Sequence, residues 1–319
     1  MADNNSFVPI QLSTLVGDVP LHFDVYIKVD ERCILYVRSG DDIENDRLKA
    51  LKKKKVRKLY INGSDEPKYQ GFLDSLLLST NHLNNDQKIG LASGLAENAS
   101  EIIYQDPQSE AAYSTAEKAA NNLIDIMSDN HDVLLGILLR DGSDNPTRTS
   151  QMHAHAVNVS SLAISFGETL KFSRSQLSSL GVAGLFHDVG FAMMNETDQE
   201  LFFKDVKTMS RAEFNTYKQH PILGAESLQD KAFANPEVLG LIATHEERIN
   251  GSGFPRMPST LNPLQECLAL CCLYDRQVTC LELAPETVIN DLMVNHIGAF
   301  GLDVLKKFKA FMKNVYKLG

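Results

Sequence analysis

The chain is 319 residues long, 43% of them apolar, with a formal net charge of −10, which gives room for two domains and a sizeable core. That charge argues against a nucleic-acid polymer or an anionic membrane surface as partner and confines any anion site to a local patch. No stretch is long and apolar enough to span a bilayer, and Met1-Ala2-Asp3-Asn4-Asn5 lacks the start of a signal peptide, so a cytoplasmic location is expected.

Phe23, Val25, Ile27 and Val29 alternate with polar neighbours, the period of a half-buried strand. Ile34 to Val37 follows after a short polar turn and predicts an antiparallel hairpin. Asp46 to Lys58 is charged and helix-compatible, with Lys52 to Lys55 read as a solvated face, and Leu59-Tyr60-Ile61 runs into an Asn62-Gly63 turn. These elements make a small α+β unit. From Asp65 onward strand signals fade and amphipathic helices begin at Phe72, Leu73, Leu76 and Leu77. Asp106-Pro107 breaks that series, and Asp141 to Pro146 breaks it again.

Several metal-capable side chains then stand where the helical period asks for apolar ones. His155 shares a face with Val159, Leu162, Ala163 and Phe166, whereas His153 is expected to face solvent. Leu180, Ala183, Gly184 and His187 fall at i, i+3, i+4 and i+7; Asp188 follows, and Gly190 is placed as the left-handed residue that stops the helix. A lone His-Asp dipeptide is usually structural, as at His131-Asp132, which follows Ser128-Asp129-Asn130 like a polar helix start. His220 precedes Pro221 and is expected at a helix N-cap. Val238, Leu241, Ile242 and His245 repeat the helical spacing, with Glu246 next, and Asp275 ends the apolar face of Leu264, Cys267, Leu268 and Cys271. The cysteines of that run, Cys272 included, read as small buried hydrophobes. Four imidazoles and two carboxylates, His155, His187, Asp188, His220, His245 and Asp275, suffice for two divalent ions if one carboxylate bridges, and Asp188 is the expected bridge.

The order His155-Ala-Val-Asn158, His187-Asp188-Val-Gly190, His220-Pro221, His245-Glu246-Glu247-Arg248-Ile-Asn250-Gly251-Ser-Gly253-Phe254-Pro255 and Asp275 resembles the HD-GYP family of cyclic-di-GMP phosphodiesterases. The resemblance implies a mainly α protein: a helical HD-domain bundle over residues 107–319, behind a small N-terminal α+β domain with connecting helices over 1–106 that could regulate it. It implies hydrolysis of cyclic-di-GMP to pGpG and GMP through a water activated by two metals. Iron is favoured by resemblance, with manganese and zinc open.

The chain departs from the family pattern at several places. Phe191 stands where the family has lysine, Glu246 where it has a second consecutive histidine, and Gln151 where three-metal members carry glutamate. Phe254 replaces the tyrosine of Gly-Tyr-Pro, and Arg276-Gln277-Val278-Thr279 stands where an Arg-Pro-Tyr segment is usual. Glu246 is therefore a candidate additional ligand, Arg248, Lys218 and Arg256 are candidate phosphate contacts, and weak activity is expected. Two alternatives stay open: a metal-bearing module of little or no activity that binds the dinucleotide, or a protein through the Gly251 to Pro255 loop, and an HD hydrolase of another nucleotide. A homodimer is also compatible with the sequence.

Overall fold

The structure, a computed structural model, describes residues 7–30, 32–128, 130–140, 147–256 and 260–318. The break at Asp141 to Pro146 and the Asp129 position lie outside the described residues. The chain divides into two compact units, Met1–Asn98 and Ala99–Gly319, upstream of the Asp106-Pro107 break.

In the first unit, β1 (Phe7–Gln11), β2 (Val25–Val29), β3 (Arg32–Val37) and β4 (Lys58–Asn62) form one antiparallel sheet in the order β1-β4-β2-β3. The expected hairpin forms, with Ile27 opposite Ile34. β1 has no counterpart among the expected elements: Pro9 interrupts its apolar run, and it pairs only along an edge, where a missing N–H is tolerated. α1 (Asn45–Lys53) turns Leu48 and Leu51 inward and leaves Lys52 to Lys55 exposed. α2 (Glu66–Leu78) buries Phe72, Leu73 and Leu76. The unit division falls within α3 (Asn85–Gln105), which stops just before Asp106-Pro107.

The second unit is a helical bundle: α4 (Glu110–Met127), α5 (His131–Leu138), α6 (Arg148–Thr169), α7 (Arg174–Phe186), α8 (Glu196–Gln199), α9 (Arg211–Tyr217), α10 (His220–Glu226), α11 (Pro236–Thr244), α12 (Pro263–Asp275), α13 (Pro285–Asn295) and α14 (Leu302–Tyr316). Polar residues start most of these helices. Ser173 before α7, Ser210 before α9 and Asn262 before α12 each complete a capping box that satisfies free N–H groups at the helix start.

α6 is the central rod, buried continuously from His155 to Gly167. α7 crosses it closely because a Cβ on Gly184 would overlap the Ser160 backbone, and one on Gly181 would overlap Ala120 and Ile164. Ser160 Oγ donates to the Gly181 carbonyl at 2.9 Å across that crossing. Small residues thus bring the middle of α6 and the end of α7 together. His155 and His187 lie on those two stretches.

Candidate metal centre

Each of the six expected site residues is buried: His187, His220 and His245 are 0% exposed, His155 and Asp275 1% and Asp188 3%. They come from one helix interior and several helix ends. His155 projects from α6, His187 is the C-cap of α7, His220 begins α10, His245 is the C-cap of α11 and Asp275 is the last residue of α12. The N-cap of α10 is Gln219, so His220 stands one position inside the helix rather than at its cap.

The orientation of the rings follows from the carbonyls that helices leave free at their C-terminal ends. His187 Nδ1 faces Gly184 O at 2.8 Å, His220 Nδ1 faces Tyr217 O at 2.7 Å and His245 Nδ1 faces Ile242 O at 2.7 Å, each three residues back. A carbonyl only accepts, so Nδ1 carries the proton and donates in all three rings. His155 Nδ1 is held by Asp275 Oδ2 at 2.7 Å. In the neutral rings every Nε2 is then a bare lone pair.

Those lone pairs converge. His155 Nε2 lies 3.1 Å from His187 Nε2, and His220 Nε2 lies 2.9 Å from His245 Nε2. Asp188 stands between the pairs: Oδ2 is 3.1 Å from His187 Nε2 and 3.5 Å from His155 Nε2, and Oδ1 is 3.2 Å from His220 Nε2 and 3.5 Å from His245 Nε2. Buried Oδ2 has no hydrogen-bond partner. Facing lone pairs beside an unsatisfied carboxylate oxygen are costly unless a cation lies among them. Two nitrogens about 2.05 Å from one metal are about 2.9 Å apart at octahedral angles and about 3.3 Å apart at tetrahedral ones. The donor set fits a divalent metal on both counts.

Without a metal, protons take that role unevenly. Burial opposes ionisation of Asp188, but His187 and the neighbouring imidazoles outweigh it and hold the carboxyl well below its usual range. Burial likewise opposes a charge on His187, and Asp188 reverses this, raising its pKa well above normal. Burial opposes a charge on His155 as well, but the bond to Asp275, contact with Cys272 and the Asp275 charge together raise its pKa to about 9. His245 is pushed down to about 4, by burial first and then by the charges of His187 and His220.

Asp275 is arranged differently from the other five. Oδ2 meets His155 Nδ1, while Oδ1 accepts from Asn158 Nδ2 at 3.0 Å and Thr279 Oγ1 at 3.0 Å. It lies behind a ring that offers its opposite nitrogen to the cluster, the arrangement that fixes a ligating histidine. Among the described residues, the donor groups able to hold an ion are His155 with His187 and Cys272, His187 with Asp188 and His245, and His220 with His245 and Glu246. By sequence Cys272 reads as packing only; its i, i+3 spacing to Asp275 is the signal that marks it. Glu246 joins the cluster. Its Oε1 accepts from Tyr217 OH at 2.9 Å and its Oε2 meets Arg248 Nη2 at 3.3 Å.

Around the donors the surroundings are aromatic. Phe191 is fully buried and stacks on His220 with centroids 4.4 Å apart, in one cluster with Leu201, Phe202, Tyr217 and Phe254. Phe254 therefore points inward from the Gly251 to Pro255 loop. Of the three candidate cations, Arg248 is buried and bonded to Glu246 and the Glu247 carbonyl, Lys218 is half-buried and Arg256 is exposed. Arg276, not singled out from the sequence, is buried over the Phe202 and Tyr217 rings and donates to Phe202 O at 2.7 Å. Gly190 is not left-handed. A Cβ there would overlap the His220 carbonyl and crowd Gly224, so glycine serves a close backbone approach. His153 is half-buried, 2.9 Å from Ser100 Oγ and edge-on to Tyr104, instead of facing solvent.

A family model described as an HD domain matches residues 139–261. The cyclic di-GMP phosphodiesterase PA4108 of Pseudomonas aeruginosa is 27% identical over 179 residues, covering 54% of this chain. The chain spans only 41% of that relative's length. The solved structure of Bd1817, an HDG"Y"P protein from Bdellovibrio bacteriovorus, is similar to 97% of this chain and 100% of its own, with a TM-score of 0.74 at 27% identity.

Proposed function

The chain belongs to the HD-GYP family of HD-domain proteins, and on that premise we propose that it is a metal-dependent phosphodiesterase hydrolysing cyclic-di-GMP to pGpG and GMP. The observation that carries this reading is the convergence of four Nε2 lone pairs on the two oxygens of Asp188. Two divalent cations held there would supply the positive charge that lowers the pKa of a water and offsets charge on the phosphate oxygens during in-line attack. His155, His187 and Asp188 would hold one cation and His220, His245, Glu246 and Asp188 the other, with Asp188 shared between them. Asp275 fixes the ring of His155. Arg248, Lys218 and Arg256 are the candidate contacts to the phosphates. The N-terminal unit is assigned a regulatory role in the same proposal, on the strength of its separate packing.

A second reading, a metal-bearing module with slow or no turnover, is favoured by Phe191. Its ring fills buried space against His220, where a lysine ammonium would give a cation to bind phosphate or protonate a leaving group. The deciding experiment measures metal content and follows cyclic-di-GMP, ppGpp and dNTPs with manganese or iron added. Conversion of cyclic-di-GMP to pGpG is the expected result. Tight dinucleotide binding without turnover establishes the second reading, and turnover of ppGpp alone makes the protein a hydrolase of a different nucleotide.

A further inference from the structure

α12 presents two donor residues one helical turn apart, and both reach His155. Asp275 takes the Nδ1 end of the ring, and Cys272, three residues earlier and 2% exposed, brings its sulfur within 4.8 Å of a nitrogen of the same ring. Cys272 Sγ and the nitrogens of His155 and His187 all lie within 4.8 Å of one another. The unpartnered Asp188 Oδ2 stands beside the same two rings, 3.1 Å from His187 Nε2 and 3.5 Å from His155 Nε2. The two imidazoles of this side thus have one thiol within reach and one unsatisfied carboxylate oxygen beside them. The opposite side has Glu246 as its third group. That carboxylate is already engaged by Tyr217 and Arg248.

We propose that Cys272 is a metal ligand, donating a thiolate to an ion held with His155, His187 and Asp188 Oδ2, and that it biases this side of the centre toward thiophilic divalent cations. The proposal rests on the metal-centre reading above and deepens it. Sulfur prefers zinc, ferrous iron or cobalt to magnesium or manganese, whereas an all-oxygen-and-nitrogen set discriminates less. The two sides of the centre therefore differ in metal preference, and loading with manganese alone leaves the His155 side weakly held. On binding, the Cys272 S–H proton is lost to solvent as the sulfur–metal bond forms, so each ion taken up on this side releases one proton from sulfur.

The test is the absorption spectrum of the full chain, stripped with a chelator and titrated with cobalt(II). Cobalt bound to thiolate gives an intense near-ultraviolet charge-transfer band, separate from the weaker visible bands that any bound cobalt shows. The expected result is that band in the native protein, its loss in Cys272→Ser with the visible bands retained, and its persistence in Cys267→Ser. Competition should show manganese displacing cobalt more readily in Cys272→Ser, by on the order of tenfold. Visible bands without the charge-transfer band in the native protein overturn the thiolate assignment and leave the metal centre standing. Survival of the band in Cys272→Ser overturns that assignment equally. Failure of the native protein to bind cobalt at all overturns both. The native spectrum decides by itself, even if the variant folds poorly.

Discussion

The two sides of Asp188 carry matching imidazole pairs, and His187 is held like His220 and His245 by a carbonyl three residues back, but the sides differ in the other groups that support them. On the His155 side the ring is gripped from a helix interior, with Asp275 at its back and the sulfur of Cys272 in reach. On the His220 side both rings hang from helix ends, Phe191 stacks against one of them, and Glu246 is held by a tyrosine and an arginine. Electrostatics separates them too: Asp275 draws the pKa of His155 up to about 9 against burial, while burial pushes that of His245 down to about 4. A nearly symmetric set of donors can thus acquire two unlike halves through what each donor leans on.

The severest way to probe this contrast is to remove what the halves share. Asp188→Asn should release metal from both sides, leaving less than one equivalent by elemental analysis, with helical circular dichroism unchanged; full metal content would disprove the bridge. Next come His187→Ala and His245→Ala. Each should lose one of two ions and retain the other, and a total loss in both variants would show that the sides do not bind independently. Asp275→Asn should weaken binding on the His155 side by about 10- to 100-fold, the usual cost of disturbing a partner behind a ligating histidine. Competition with a fluorescent chelator measures this, and equal weakening on both sides would erase the distinction.

A smaller effect is expected from pH. The folded pKa of His155 is raised from 6.5 to about 9, so its contribution to stability is full below pH 6.5 and is lost as pH rises through 9. That of His245 is lowered from 6.5 to about 4, so its contribution is full above pH 6.5 and is lost as pH falls through 4. Urea unfolding of the metal-free protein should therefore show greatest stability near pH 6.5; a steady trend from pH 4 to 9 would mean the two sides titrate alike. Smallest is Tyr217→Phe. It removes the hydroxyl bonded to Glu246 and should cost about 1 kcal/mol in the same unfolding assay with no loss of metal.

The sequence reveals the donors better than their arrangement. His155, His187 and His245 are legible because each interrupts an apolar stripe, and the helical period alone turns such a residue inward. The hairpin of β2 and β3 is legible for the same reason at period two. Asp275 also interrupts a stripe, but which atom it meets depends on a crossing of α6 and α12 that no local pattern encodes. Cys272 reads as packing because a cysteine in an apolar run satisfies the pattern whether or not it ligates. Tyr217 and Arg276 take their places from long-range contacts, and β1 is hidden by Pro9.

Gly190 carries one more consequence. The peptide at that position presses against the start of α10 so tightly that even a methyl group finds no room beside the His220 carbonyl. Any side chain there would lever α10 outward and carry the His220 imidazole with it, while the rest of the bundle could stay as it is. The gap between the two imidazole pairs is thus gauged by an absent atom, and drift at this one position would retune the reach of the centre before it unfolded anything.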